Sequence, residues 1–133
     1  MSNLPGSPSV SQAEAAAALL KRRQSRRDLL SFSQYTMPEY KPGRHHHILN
    51  GYINRMIHGD LRRLIVSMPP RHGKSELISR RLPGLLFGIN PKETVIACSY
   101  SAELASRMNR DVQRIMCSPA YHNLFPEIGL EQW

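Results

Sequence analysis

The sequence lacks any apolar run long enough to cross a membrane. No stretch approaches the ~18–20 consecutive apolar residues of a membrane-spanning helix. The N-terminus has no basic segment followed by an apolar core, the pattern of a secretory signal peptide. We therefore expect a cytoplasmic protein without a membrane partner.

Cysteines and acidic residues are also scarce. The two cysteines are Cys98, in a predicted buried strand, and Cys117, near a predicted helix end, and we expect both to be reduced. Lys and Arg number 18 against 10 Asp and Glu, which gives a net charge of +8. This excess favours a polyanionic partner, either nucleic acid or nucleotide.

The strongest functional signal is the segment Ser67–Ser75. The short aliphatic run Leu64–Val66 before it predicts a buried strand, and residues 74–87 after it have apolar residues at helical spacing. A strand, a tight loop containing Gly73-Lys74-Ser75 and a helix are the context of a phosphate-binding loop.

Each residue type in this loop has a chemical reason. The N-terminus of a helix attracts anions, and Gly73 lets the backbone approach phosphates closely. Lys74 is expected to reach the β- and γ-phosphates of ATP, and the Ser75 hydroxyl to bind Mg²⁺. Lys74 and Arg71 are the predicted catalytic residues. The predicted nucleotide-binding residues are Pro70, Arg71, His72, Gly73, Lys74, Ser75 and Glu76.

The loop departs from the usual G-x-x-x-x-G-K-[ST] pattern at one position. Met68 stands where the first glycine is expected, and Pro69-Pro70 stiffens the following turn. The alternative interpretation is a solvent-exposed basic turn, which would not require Gly, Lys and Ser at their three positions.

The string Pro-Pro-Arg-His-Gly-Lys-Ser, preceded by Arg-Leu-Ile-Val-Ser-Met, resembles the ATPase P-loop of tailed-phage terminase large subunits. These motors package DNA into procapsids, and the resemblance covers roughly residues 28–127. It implies ATP binding, with Arg71 acting at the γ-phosphate, in the cytoplasm of a bacterial host. It also implies double-stranded DNA, a portal protein and a small terminase subunit as partners, and possible assembly into a homo-oligomeric ring.

The expected fold class is α/β, an incomplete P-loop NTPase (RecA/helicase-like) βαβ core preceded by N-terminal helices. Its strands are expected at 62–68 and 94–99. Residues 1–10 are predicted to be a disordered tail and residues 11–60 a helical region. Residues 61–133 are predicted to be the front part of an ATPase domain, truncated before its acidic motif.

The acids that ATP hydrolysis requires are missing from the sequence. A carboxylate must hold Mg²⁺ and a second acid must orient the attacking water. The predicted strand 94–99 ends in Tyr100-Ser101, and no aliphatic run followed by Asp or Glu comes after residue 117. We therefore expect a fragment that binds ATP but is not hydrolytically competent alone.

Two other functions remain open at the level of sequence. The basic cluster 21–27 suits a non-catalytic nucleic-acid-binding module, although a solvated basic face is the simpler interpretation. Another P-loop NTPase or kinase is the second alternative. Gln34, Tyr40 and His47 are candidate adenine contacts. The run His45-His46-His47 is not expected to bind a metal, because successive helical residues point about 100° apart.

Overall fold

A computed structural model describes residues 10–128, and its regular secondary structure there is entirely helical. A π-helical segment, Glu76–Arg81, runs directly into α4 (Leu82–Ile89). Six α-helices complete the set: α1 (Val10–Ser25), α2 (Leu29–Thr36), α3 (Arg44–Ile57), α4 (Leu82–Ile89), α5 (Ala102–Met116) and α6 (Pro119–Leu124). The predicted disordered tail lies outside the described residues, except for Val10, which begins α1. None of the helices within residues 10–128 is both long and apolar enough to span a membrane.

The predicted α/β fold, an incomplete RecA/helicase-like P-loop NTPase βαβ core, is wrong, because residues 10–128 contain no strand. The first expected strand, 62–68, is irregular. Leu64, Val66 and Met68 pack partly buried against the core, whereas Ile65 is 96% exposed. The strand-like alternation of burial is present, but a strand also requires a neighbour for its backbone hydrogen bonds.

The second expected strand, 94–99, is also irregular and is exposed along its whole length. Ile96 is 83% exposed, and Cys98, predicted to be buried, is exposed as well. β-branched residues favour strands mainly through packing against neighbouring strands, so their composition alone does not produce one.

The two regions predicted on either side of residue 60 both contribute side chains to one hydrophobic core. Phe32 of α2 lies at the centre, with its ring edge-on to Tyr121 at 6.1 Å and tilted against Phe125 at 6.4 Å between centroids. Leu49 and Ile53 of α3 belong to the same buried cluster. The other members are Leu29, Leu30, Leu77, Leu85, Val112, Met116, Leu124 and Ile128.

A polar junction fixes α2 against α3. The Asp28 carboxylate caps α2 by accepting a hydrogen bond from the Ser31 backbone N–H at 2.8 Å. It also accepts bonds from the side-chain amides of Asn50 and Asn54 on α3, both at 2.7 Å. Asn50 in turn accepts a bond from the Leu30 backbone N–H. The orientation of α3 follows from these contacts, and α3 carries the histidines described below.

The helical stretch after the loop changes from π-helix to α-helix next to Pro83. The π-helical segment ends at Arg81 and regular α-helix begins at Leu82. Because proline has no backbone N–H, it interrupts the regular hydrogen-bond pattern in the turn before it. The change from π-helix to α-helix thus lies directly before Pro83.

Candidate phosphate-binding loop

The loop lies between the irregular segment 63–69 and the helical residues that begin at Lys74. Its residues surround an open cavity of about 490 Å³. This volume is within the usual range for small-molecule pockets, roughly 300–1,000 Å³. The lining residues are Met68, Pro69, Pro70, Arg71, His72, Gly73, Lys74, Ser75, Glu76 and Arg80.

The backbone of the loop is tightly turned. Arg71 has φ 63° and Gly73 has φ 79°, so two left-handed residues flank His72. Arg71 is the only non-glycine residue with positive φ among residues 10–128. Such a conformation is costly for a side chain with a Cβ and tends to occur at ligand-binding loops. Successive backbone N–H groups in turns of this kind form concavities that bind anions.

The helix adds its own N-terminus to the loop. Lys74 and Ser75 are helical, and the Leu77 backbone N–H donates to the Gly73 carbonyl at 3.1 Å. The first N–H groups of a helix have no acceptor within that helix, and they carry the positive end of its dipole. The side chains of Arg71, Lys74 and Ser75 are exposed beside them. This arrangement can bind a polyphosphate with backbone and side-chain donors together.

Two histidines of α3 hold the loop from outside. His46 is 7% exposed, and its Nδ1 accepts a hydrogen bond from the Gly43 N–H at 2.9 Å. Its Nε2 therefore carries the proton and donates to the His72 carbonyl at 2.8 Å. His45 approaches the same carbonyl at 3.3 Å and lies against the His46 ring. The sequence predicted only that these histidines do not bind a metal. Their contact with the His72 carbonyl is not visible in the spacing of the sequence.

The ring of His72 closes the turn from within. Its Nδ1 lies 2.8 Å from the Pro70 carbonyl and donates to it, since a carbonyl oxygen only accepts. The side chain itself is exposed. His72 thus stabilises the loop conformation through both its ring and its backbone.

Charged side chains next to the loop form a network of ion pairs. The two oxygens of Glu76 pair with Arg81 at 2.8 Å and with Arg80 at 3.0 Å. Arg80 also binds Asp111 of α5 at 2.8 Å. Burial alone would lower the pKa of the Arg80 guanidinium, but its bonds to Glu76 and Asp111 raise it above the ordinary value.

Arg81 is the buried member of this network, and its charge has three partners. Besides Glu76, its guanidinium donates to the Thr36 hydroxyl at 2.8 Å and lies 3.4 Å from the Met37 sulfur. Both oxygens of Glu76 are therefore paired with arginines. The loop's link to α2 and α5 through Arg80 and Arg81 is a feature that sequence reasoning missed. The spacing of Glu76 and Arg80, one helical turn apart, was its only visible signal.

All seven predicted nucleotide-binding residues, Pro70 to Glu76, line the one cavity. Of the candidate adenine contacts, Gln34 and His47 are exposed, and no contact joins either to the loop. Tyr40 is nearer, because its ring lies 5.7 Å from that of His46. Burial and the negative charge of Glu76 raise the pKa of Tyr40, and its buried hydroxyl has no hydrogen-bond partner among residues 10–128.

Two of the five basic residues in the cluster 21–27, Arg22 and Arg26, make internal contacts. Arg26 donates to the Leu124 carbonyl, forms an ion pair with Glu127 at 3.0 Å and lies over the Phe125 ring at 5.3 Å. Arg22 donates to the Asn123 carbonyl. These arginines bind the C-terminal end of α6, where carbonyl groups and the helix dipole favour cations. The other three basic residues of the cluster, Lys21, Arg23 and Arg27, are exposed.

Comparisons with protein-family models, with curated proteins and with solved structures find no match. Within residues 10–128, no group of three or more His, Cys, Asp or Glu side chains could hold a metal ion. The predicted Mg²⁺ ligand, Ser75, therefore has no cluster of protein ligands around it, and it would hold the metal together with phosphate oxygens.

Proposed function

We propose that this chain binds ATP·Mg²⁺ through the loop 68–75. The observation that supports this proposal most directly is the turn with left-handed Arg71 and Gly73, which leads into a helix at Lys74. Arg71, Lys74 and Ser75 are exposed around a cavity of suitable size. An exposed basic turn without a ligand would not require a strained arginine.

Each side chain has a distinct role in this proposal. Lys74 binds the β- and γ-phosphates as a point charge, and the Ser75 hydroxyl contributes one ligand to Mg²⁺. The backbone N–H groups at His72 and Gly73 bind phosphate oxygens. Arg71 acts on the γ-phosphate, where negative charge is greatest.

We further propose, from the resemblance of residues 63–75, that the chain is the ATP-binding part of a phage terminase large subunit. In that setting, ATP binding serves DNA packaging in the host cytoplasm, with double-stranded DNA, portal protein and the small terminase subunit as partners. Subunits of the motor would form a ring. The basic net charge of +8 is consistent with a motor that contacts DNA.

Calorimetric titration of the 133-residue chain with ATP·Mg²⁺ tests the binding proposal. We expect binding by the unchanged protein and its loss in Lys74→Ala. Lys92→Ala is the matched control, because Lys92 is exposed in another loop and its removal changes the net charge equally. Equal binding by all three proteins, or no binding by the unchanged protein, would contradict the proposal.

We expect no ATP turnover by this chain. The sequence has no acidic residue at the end of an aliphatic run after the loop, and Glu76 is already paired with two arginines. Phosphate release measured with ATP·Mg²⁺ should therefore equal the buffer background. Turnover that Lys74→Ala abolishes would refute this expectation.

A further inference from the structure

We propose that His46 locks the orientation of the peptide group between His72 and Gly73, and that this lock keeps the loop ready to bind phosphate. His46 is thus a positioning residue, which acts on phosphate through the backbone of the loop. The inference deepens the proposed function and depends on it for its consequence in ATP binding. The lock itself can be measured without a nucleotide.

The first step of the argument is the direction of the peptide group. The His72 carbonyl points at His46 and accepts a hydrogen bond from its Nε2 at 2.8 Å. In a planar trans peptide, the N–H of the next residue points the opposite way. The Gly73 N–H is therefore directed away from His46, and Gly73 is one of the residues that line the cavity.

The second step is that this peptide group needs a constraint. Glycine adopts positive and negative φ with similar ease, so a peptide bonded to Gly73 can rotate at little cost. Rotation by a half-turn would direct the His72 carbonyl oxygen where the Gly73 N–H now points. A carbonyl oxygen repels phosphate, whereas an N–H group binds it, so the rotated loop would lose its affinity.

The third step is that His46 is itself held in one position and one tautomer. The Gly43 N–H donates to its Nδ1 at 2.9 Å, so the proton lies on the Nε2 that faces His72. The ring is buried between Tyr40 and His45, at centroid distances of 5.7 and 3.9 Å. The titratable side chains around the His46 ring are Tyr40, His45 and His72. The His72 ring contacts that of His45.

The fit against Gly73 provides independent support. A Cβ added to Gly73 would lie 2.7 Å from the His46 Nε2, so the imidazole occupies the space that any side chain there would need. Ring and glycine therefore fit together closely. His122 of α6 is exposed and has no assigned part in ATP binding, which makes it a control for the effect of losing a histidine.

Two substitutions separate the two hydrogen bonds of the ring. His46→Asn retains an acceptor near the position of Nδ1, so it keeps the Gly43 contact but is too short to reach His72. His46→Gln places an amide N–H near the position of Nε2, so it can still donate to the His72 carbonyl. We expect ATP·Mg²⁺ binding to weaken roughly three- to tenfold in His46→Asn, as for the loss of one hydrogen bond, and much less in His46→Gln.

His122→Ala should bind as the unchanged protein does. Equal binding by His46→Asn and the unchanged protein would overturn the inference, and so would equal losses in the Asn and Gln variants. If His46→Asn does not fold, as judged by its thermal unfolding, His46→Gln and the measurement below still decide.

Nuclear magnetic resonance of the ATP-free chain tests the lock on its own. We expect the imidazole nitrogens of His46 to show a single tautomer protonated at Nε2, and the Gly73 amide signal to broaden or split in His46→Asn. A His46 protonated at Nδ1 would overturn the lock. If the unchanged protein binds no ATP while these signals behave as expected, the proposed function fails and the lock remains.

Discussion

Replacing Asp28 by alanine should destabilise the protein more than any other single change at the junction of α2 and α3. Its carboxylate accepts four hydrogen bonds, two from Ser31 and one each from Asn50 and Asn54, at 2.7 to 2.8 Å. Alanine would remove them all and leave two partly buried amides without an acceptor. The capping bond is worth ~1 kcal/mol. A bond to a charged group is worth ~1.5–3 kcal/mol. Allowing for the partial exposure of the site, we expect a loss of about 2–4 kcal/mol in the free energy of unfolding.

Asp28→Asn is the matched variant, because its side-chain oxygen can still cap α2. Its amide would face the donor groups of Asn50 and Asn54, so the contacts to α3 suffer. Asn54 has a buried Oδ1 without a partner, and rotation of its amide would let that oxygen accept a bond from the new side chain. We therefore expect about half of the loss seen with alanine, roughly 1–2 kcal/mol.

The same group should produce a defined dependence on pH. Burial raises the pKa of Asp28, but the bonds from Asn50, Ser31 and Asn54 outweigh it, so the pKa is lowered from its ordinary value of 3.8. The contribution of its charge to stability is therefore fully present above the unfolded-state pKa. It is lost as the pH falls through the lower, folded-state pKa. Asp28→Asn should lack this part of the acid sensitivity.

Urea unfolding followed by circular dichroism at pH 7 and at pH 3 measures both effects. The difference in stability between Asp28→Asn and the unchanged protein should shrink at the lower pH. An alanine variant within ~0.5 kcal/mol of the unchanged protein at pH 7, the range of ordinary surface substitutions, would refute this account of the junction.

Two further substitutions test close contacts of glycine. Gly73→Ala should destabilise by more than the ~1–2 kcal/mol of a left-handed alanine, because its Cβ would overlap the His46 ring. This additional destabilisation should vanish when His46 is also replaced by alanine. Urea unfolding of the two single variants and the double variant measures it, and additive losses would contradict the overlap. Gly88→Ala would place a Cβ 2.4 Å from the Phe125 ring and should cost ~1–3 kcal/mol. Gly51→Ala is the control, because nothing lies within 4 Å of the added Cβ. It should be neutral or stabilising in thermal unfolding. Similar losses at both positions would exclude the Phe125 contact as the cause.

Some helix ends follow directly from local features of the sequence. Ser101 caps α5, with its hydroxyl accepting a bond from the Leu104 N–H at 3.2 Å. Gly59 follows the end of α3 with φ 85°, as a glycine after a helix end commonly does. These features depend on a few neighbouring residues, so the sequence is sufficient to find them.

The two strand predictions are wrong for the opposite reason. Whether 62–68 and 94–99 pair depends on neighbours that no local pattern specifies. Apolar, β-branched composition is shared by a buried strand and by an unpaired segment such as 94–99, in which Ile96 is 83% exposed. The composition of a segment therefore cannot establish that it forms a strand.

The candidate site could be predicted in part. The loop residues were found because Gly73, Lys74 and Ser75 are adjacent in the sequence. The contact of His46 with His72 spans 26 residues and depends on how α3 packs, so no spacing rule reveals it. The terminase resemblance implied which residues are expected to face phosphate, but not which residues hold the loop in place.

The contact between Arg26 and the end of α6 has a consequence for the speed of folding. Arg26 and the Leu124 carbonyl are 98 residues apart in the chain, and Phe32 reaches its aromatic partners across a similar separation. Individual helices form within about a microsecond, whereas closing a loop of this length carries an entropic cost before any contact is gained. We therefore expect the meeting of α1 and α2 with α6, rather than the formation of the helices, to limit the rate at which residues 10–128 reach their native packing.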